Sequence, residues 1–502
     1  MSHLNAVMDY IQSMGKENMD AGFLAYIANL SEISRVSPDI AKAIVNEIRN
    51  QRSHLKLIAS ENYCSLATQL AMGNLLTDKY AEGYPGHRNY AGCEQVDFIE
   101  NLACDLAKKV FGCDHAYVQP HSGADANLIA FWAILNARVH VPELEKLGVT
   151  DPLKVTDEDW SRIREKLGNQ KLLGLDLFSG GHLTHGYRHN ISGRMFEHYN
   201  YAVDEKTHLI NYDQIEAMAV KIKPLILLTG YSAYPRKINF RRMREIADKV
   251  NAVFMVDMAH FAGIVAGGVF TGEYNPVPYA HIVTTTTHKT LRGPRGGMIL
   301  CTDEFAEHVD KGCPLVIGGP LPHVMAAKAV AFTEACSPEF KEYAAKVVDN
   351  AKAFAEACMQ LGIPVSTNGT DNHLFLLNVS PFGITGRQAE SALCDCLITT
   401  SRSPLPYDPN GPWYTSGLRI GTPAVTTLGM GQAEMAEIAS IIKLVLSGTK
   451  PTTTSSGTVS KAKYVIDENI REEAITRVRA LLGRFPVYPQ LDLNFLEKHF
   501  VD

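Results

Sequence analysis

The clearest pattern lies between residues 221 and 297, where short apolar runs alternate with amphipathic ones. Pro224–Leu228 reads as a strand running into Thr229–Gly230–Tyr231–Ser232, and Asn239–Val250 has helical spacing. Val253–Val256 is again a strand, ending in Asp257–Met258–Ala259–His260, and Ile282–Val283 with four threonines leads into His288 and Lys289. Nearly continuous apolar strands separated by helices predict an α/β fold whose mostly parallel sheet is covered on both faces. Each polar cluster falls at a strand's C-terminal end, where such sheets bind ligands.

Elsewhere the chain is less regular. Residues 1–52 predict a helical arm, with Ile40–Ile48 spaced as an amphipathic helix. Residues 79–95, rich in glycine and tyrosine, predict a long loop, either functional or packed by its own tyrosines. Asp97–Phe111 and Ala124–Leu135 predict helices, with a strand at Ala116–Val118 between them. Residues 137–168 are polar and read as an insertion, with a solvated helix over Asp157–Leu167. After about 330, Phe332–Leu361 predicts one long helix, Leu374–Val379 a strand and Ser416–Pro423 a turn-bounded segment. Pro451–Lys463 reads as a Ser/Thr-rich linker and Asp467–Arg484 as a last helix. The expected division is an arm (1–52), a large α/β domain (53–330) and a smaller C-terminal α+β domain (331–502).

Composition narrows the class. With 502 residues, 46% hydrophobic and 20% charged, the chain suits a soluble multidomain protein. A net charge of −6 argues against a nucleic-acid or membrane-surface role. No apolar run approaches the ~20 residues of a membrane span, and the first twenty residues lack a signal peptide's apolar core. The ten cysteines form no CxxC pair, and Cys394 and Cys396 are too close for usual zinc spacing. They read as reduced thiols, which points to the cytoplasm.

Lys289 is the first candidate for chemistry. It sits at a strand mouth among His288, Arg292 and Arg295. Neighbouring positive charge and burial both disfavour an ammonium, and a neutral amine attacks carbonyls. The same residues also fit a basic surface turn. Gln119–Gly123 ends a strand and opens a helix, which aims backbone N–H groups at an anion, or is a plain capped helix start. His182, His185 and His189 have a metal-like spacing but lie on a glycine-rich loop without a helix to hold them. No metal is expected. A nucleophilic lysine, an anion cradle, a buried aspartate, a loop histidine and a distant arginine together form the set a pyridoxal phosphate enzyme needs.

LIASEN (57–62), KYAEGYPG (79–86), GGHLTHG (180–186), VDMAH (256–260), TTTTHKT (284–290), TDNHLFL (370–376) and the SG-RIGTP run (416–423) closely resemble the serine hydroxymethyltransferase family. The resemblance covers about 54 to 445 and resumes near Arg484–Tyr488. It implies a type I pyridoxal phosphate fold and reversible transfer of serine's hydroxymethyl carbon to tetrahydrofolate, leaving glycine. On it, Lys289 bonds the cofactor, with His288 beside it, and Asp257 pairs with the pyridine nitrogen. His182 stacks on the ring, while His260 and Ser232 serve its oxygen or phosphate side. Ser122, Gly123 and Ala124 hold the phosphate, although the family usually has a second serine at 124, and Arg295 supports the cofactor loop. Arg419 takes the substrate carboxylate, with Ser60 nearby. Tyr80, Glu82 and Tyr90 reach in from a second subunit, Glu82 as the proton donor or acceptor, and Gly319 crosses to the neighbour's phosphate. The active unit is then a homodimer or a dimer of dimers. Leu177, Gly181, His182, Leu183, Asn89 and Ser403 fall on the folate side.

Three departures sit on that side. Asn89 stands where the family has a tyrosine, Ser403 where it has an asparagine, and Leu315–Val316–Ile317 replaces part of a glycine loop. They predict weaker folate binding. They also leave room for an enzyme that mainly racemises or cleaves amino acids without folate. Two other classes are a histidine-based metal hydrolase and a structural relative without cofactor. The second is disfavoured by the presence of Lys289, Asp257 and Arg419 together.

Overall fold

The computed structural model describes residues 5–14, 18–453 and 457–501. Residues 1–4 and 15–17 of the expected arm, residues 454–456 of the expected linker and residue 502 lie outside the described residues. A seven-stranded sheet organises the chain: β1 (His115–Tyr117), β2 (Lys171–Leu175), β3 (Glu197–Tyr201), β4 (Ile226–Gly230), β5 (Val253–Asp257), β6 (Ile282–Thr286) and β7 (Gly297–Cys301). Their order is β1-β7-β6-β5-β4-β2-β3. β2 to β6 run parallel, and β7 is antiparallel to both β6 and β1. Every residue of β4, β5, β6 and β7 is buried, because helices cover both faces. Gly123–Leu135 packs on β6 and β7, while Phe240–Lys249 packs on β4 and β5.

A second, antiparallel sheet has β8 (Leu374–Asn378) and β9 (Ser401–Ser403) flanking β10 (Gly417–Gly421). Its core is closed by helices Pro338–Gln360 and Gln432–Gly448, and takes in Leu55 and Leu57 from early in the chain. Leu55–Lys56 pairs there with Ile398–Thr399. Helices Ala21–Val36 and Pro38–Ser53 share a separate apolar core with helix Leu493–Phe500, joining the two ends of the chain.

Two stretches differ from the sequence expectation. Phe332–Leu361 is two helices, Pro322–Ala335 and Pro338–Gln360. Ser337 caps the second by accepting from the N–H of Phe340, and Pro338 occupies its first turn. The expected linker is mostly a two-stranded ribbon, Thr449–Thr453 against Val459–Ile466. Polar side chains of the neighbouring helix hold it, alongside Tyr464 and Ile466 packed on the small-domain core: Gln388 Nε2 donates to the carbonyls of Ser460 and Lys463 (both 2.8 Å), and Thr385 Oγ1 to that of Lys461 (2.8 Å).

The tyrosine-rich loop contains a small hairpin, Gly83–Tyr84 with His87–Arg88. Arg88 anchors it, donating to Asp97 (2.8 Å), to Glu100 (2.5 Å) and to the carbonyls of Ala81 and Gly83 (both 2.9 Å). Gln119 donates to Glu100 and to the carbonyl of Gly83, both at 2.8 Å, tying the loop to the segment that opens the anion cradle. Glu100→Gln removes a buried charge from this network. It should destabilise the fold by about 1–3 kcal/mol, the cost of leaving a buried charged group short of a partner. Unfolding in urea checks this, and an unchanged midpoint would show that Asp97 alone suffices for Arg88.

Candidate active site

The parallel strands deliver their polar clusters to one edge. Asp257 ends β5, and Lys289 follows β6 by three residues. Lys289 Nζ donates to Thr286 Oγ1 at 2.8 Å. Asp257 Oδ2 accepts from Asn127 Nδ2 (2.9 Å) and His185 Nε2 (3.3 Å), and its Oδ1 accepts from the N–H of Ala259 (3.0 Å). Asn127 also donates to Thr184 Oγ1 (2.7 Å) and accepts from Thr284 Oγ1 (2.6 Å). Thr184 Oγ1 pairs in turn with His182 Nδ1 at 2.7 Å. Asn127 and Thr184 thus belong to the site although the sequence assigns them no role, and His185, considered there only for its metal-like spacing, belongs to it as a partner of Asp257. The available signal was their position inside the 121–127 stretch, HSGADAN, and the GGHLTHG run.

Burial governs the charges. It lowers the Lys289 amine to about 8, with Arg295 and Arg419 adding to the effect and Asp257 opposing it. Lys289 is therefore no surface turn, but a lysine close to neutrality. Burial lowers His182 to about 4 and His288 to about 3, so both rings are neutral at pH 7. Burial alone would raise Asp257, but the His185 hydrogen bond and the nearby histidines outweigh it and hold the carboxyl below its usual range. Donor atoms of His182, His185 and Asp257 lie within 4.8 Å of one another. His189 is not with them, because its ring sits against Tyr187 at 5.5 Å. The three histidines of that spacing therefore do not gather; the group that does is His182, His185 and Asp257.

The helix start after Ser122 forms as expected. Ser122 caps helix Gly123–Leu135, its Oγ accepting from the N–H of Asp125 (3.1 Å). The N–H groups of Gly123 and Ala124 stay free for an anion, as at any first helical turn. A Cβ on Gly123 would lie 2.7 Å from Thr286 Cγ2, so glycine lets the helix start approach the Lys289 strand. Arg419 comes from β10, opposite Leu376. Its Nη1 donates to the carbonyl of Ser232 (2.8 Å), while its buried Nε has no partner. The N–H of Gly421 bonds the carbonyl of Leu57 (2.8 Å), which brings the segment carrying Ser60 alongside β10. Leu177, Gly181, Ser232, Ser403 and Arg419 line one cavity of about 210 Å³. Leu183 is exposed and absent from its wall, and Arg295 is exposed with no hydrogen bond among the described residues.

The remaining candidates form a second group. Tyr80 and Tyr90 meet edge to face at 4.9 Å and are 55% and 48% exposed. Asn89 Nδ2 donates to Glu82 Oε1 at 3.2 Å. A Cβ on Gly319 would touch the Tyr80 ring at 3.1 Å, so Gly319 lies beside this group.

A family model described as serine hydroxymethyltransferase matches residues 33–147 and 166–442. The chain belongs to the serine hydroxymethyltransferase family. The unmatched residues 148–165 lie inside the stretch expected to be an insertion. The serine hydroxymethyltransferase of Treponema pallidum is 60% identical over 99% of this chain and 86% of its own length. That of Salinispora tropica is 56% identical over 94% and 98%, and that of Cutibacterium acnes 53% over 93% and 96%. The fold is accordingly the type I transferase architecture, and the chain is a hydroxymethyltransferase acting between serine and glycine. An enzyme working mainly without folate, a metal hydrolase and a non-catalytic relative are not favoured by these matches.

Proposed function

We propose that this enzyme holds pyridoxal 5′-phosphate at the β5–β6 strand ends and passes serine's hydroxymethyl carbon to tetrahydrofolate. Asp257 carries the reading. It is a buried carboxylate, held ionised, with no lysine or arginine paired to it among the described residues. Such a charge is costly unless a cation completes it, and a protonated pyridine nitrogen does so. The other donors fit the same molecule: free N–H groups at Gly123 and Ala124 for phosphate, neutral His182 for the ring face, and Lys289 for the aldehyde carbon. When bound, the cofactor withdraws electrons from the amino acid's Cα.

The chain's own residues do the rest. Arg419 holds the substrate carboxylate through its free Nε, with Ser60 and Ser232 beside it. Lys289, which sheds its proton around pH 8, and His288, neutral at pH 7, lie near the reacting carbons. Glu82, half-buried, and Tyr80 and Tyr90, exposed, are assigned to the partner's site. Tyr80 and Gly319 then approach the neighbour's phosphate together, and the working unit is a homodimer or a dimer of dimers. Exposed Leu75, Phe98 and Leu102 around the same loop suit such burial. The division into an arm, a large domain holding the cofactor and a small domain supplying Arg419 follows the two sheets. No described helix is long and apolar enough to cross a membrane, and the ten cysteines are free thiols, which supports a cytoplasmic enzyme.

Loading tests the lysine. The neutral fraction of Lys289 grows as pH rises towards and past about 8. The rate at which added pyridoxal phosphate develops its bound absorbance should climb through that range and level off above it. An ordinary lysine would climb until ~10.4.

Folate is assigned to the 210 Å³ cavity. Ser403 reaches only the carbonyl of its neighbour Pro404, at 3.4 Å, and Asn89 is engaged by Glu82. Asn89→Tyr with Ser403→Asn should therefore tighten tetrahydrofolate several-fold, given roughly 0.5–1.5 kcal/mol for an aromatic pair. Serine affinity should hold constant. Saturation curves for the two substrates measure both, and an unchanged folate KM would remove these residues from the folate site.

A further inference from the structure

His260 and His373 come from different sheets and meet in the site. His260 lies three residues beyond the end of β5, and His373 directly precedes β8. His260 Nδ1 is 3.2 Å from His373 Nε2, and both side chains are buried. The pair is held from both sides. The carbonyl of His373 accepts from the N–H of Thr422 (3.1 Å), and neighbouring Asn372 donates to Tyr231 Oη (3.1 Å) and to the carbonyl of Tyr234 (3.0 Å). Thr290 Oγ1 donates to the carbonyl of His260 (2.9 Å).

Two neutral rings sharing one hydrogen bond have two arrangements. If His260 donates from Nδ1, the proton of His373 must sit on its own Nδ1, which is buried and without a partner. That strands an N–H. If His373 donates from Nε2, its Nδ1 is only a bare acceptor, and buried acceptors without partners are tolerated more often than buried donors. The second arrangement leaves His260 protonated at Nε2, the ring nitrogen free of protein partners among the described residues. Burial, together with Arg419 and Lys289, keeps both rings neutral.

We propose that His373 is a positioning residue that fixes the proton of His260 on Nε2, so that the site presents a permanent neutral donor to the cofactor's ring oxygen. The proposal rests on the reading of His260 as a cofactor contact. A fixed donor favours an anionic ring oxygen over a protonated one, and His373 delivers this from the same segment whose strand faces Arg419. Substrate carboxylate and cofactor oxygen are thereby set by one sheet.

Neutron diffraction from deuterium-exchanged crystals reads the proton directly, with and without pyridoxal phosphate. Deuterium is expected on Nε2 of His260 and Nε2 of His373 in both. His373→Gln keeps an amide donor and should hold cofactor within about threefold. His373→Phe, with no donor, should weaken it about tenfold in equilibrium dialysis, the size of one hydrogen bond to an anion. The pH midpoint of the bound cofactor's absorbance should rise in His373→Phe alone. Deuterium on His260 Nδ1 in the unmodified protein overturns the proposal, as does His373→Phe with unaltered affinity and absorbance. Should the tautomer be as expected but loading leave His260 Nε2 without a cofactor partner, the reading of His260 itself fails and the positioning role with it. The maps of unmodified protein decide the matter even if His373→Phe does not fold.

Discussion

Lys289→Ala is expected to fold, to bind pyridoxal phosphate without a borohydride-fixable bond, and to lose turnover by on the order of a thousandfold. Burial brings this amine to about 8, whereas Lys328, which burial lowers to about 7, is spent on the carbonyls of Val118, Pro120 and Gly297. Its sole hydrogen bond is to Thr286 Oγ1, so deletion leaves one small hydroxyl to rehydrate and costs little stability. The binding groups for phosphate and ring remain: the helix start at Gly123, Asp257 and His182. What disappears is the nucleophile that exchanges with the amino acid, and with it a nearby base, each worth about 10²–10⁴-fold. Single-turnover absorbance with serine, plus borohydride reduction and peptide mapping, separates the two losses. Normal turnover in Lys289→Ala would remove this lysine from the mechanism.

Arg419→Ala should be the next most damaging change, felt in serine affinity rather than in cofactor binding. Arg419 has one hydrogen bond, to the carbonyl of Ser232, and a buried Nε with nothing to donate to. A guanidinium placed this way is ready for a carboxylate, and truncating one side of such a pair costs on the order of 2–5 kcal/mol. That is roughly a 30-fold to several-thousand-fold rise in the serine requirement. Arg419→Lys should recover only part, because an ammonium cannot form the planar two-point fork. Serine titration of the bound cofactor's absorbance measures the effect. Unchanged affinity would mean that the carboxylate is held elsewhere, with Ser60 and His260 the next residues to test.

The catalytic half of the site was legible because its signals are local. A strand ending in Val256–Asp257 or in Thr286–Lys289 announces itself by apolar runs stopped by polar residues, and a parallel sheet gathers such ends at one edge. Gly123 and Ser122 were legible for a similar reason, since a cap and a free first turn are sequence-near features. The Phe332–Leu361 helix was misread although Ser337–Pro338 carried the break in plain view. The ribbon at 449–466 was not legible, because carbonyl contacts to Thr385 and Gln388, some seventy residues earlier, decide it.

The sequence by itself determined the α/β class, the strand-end positions of Asp257 and Lys289, the helix start at Ser122 and the family. These follow from periodicity and from motifs that span a few residues each. Only the tertiary structure decided that Asn127, His185 and Thr184 wire Asp257 in place, that His189 stands apart, and that His260 meets His373. It also brought Tyr80, Tyr90 and Gly319 side by side and Asn89 onto Glu82. Most of those facts depend on contacts between residues distant in sequence, such as Asn127 with Asp257 or His260 with His373. Hydrophobic spacing fixes which face of an element is buried, but not which distant polar atom it meets there. That is settled when the sheets close and most buried donors and acceptors find partners, while a few, such as Arg419 Nε and His373 Nδ1, do not.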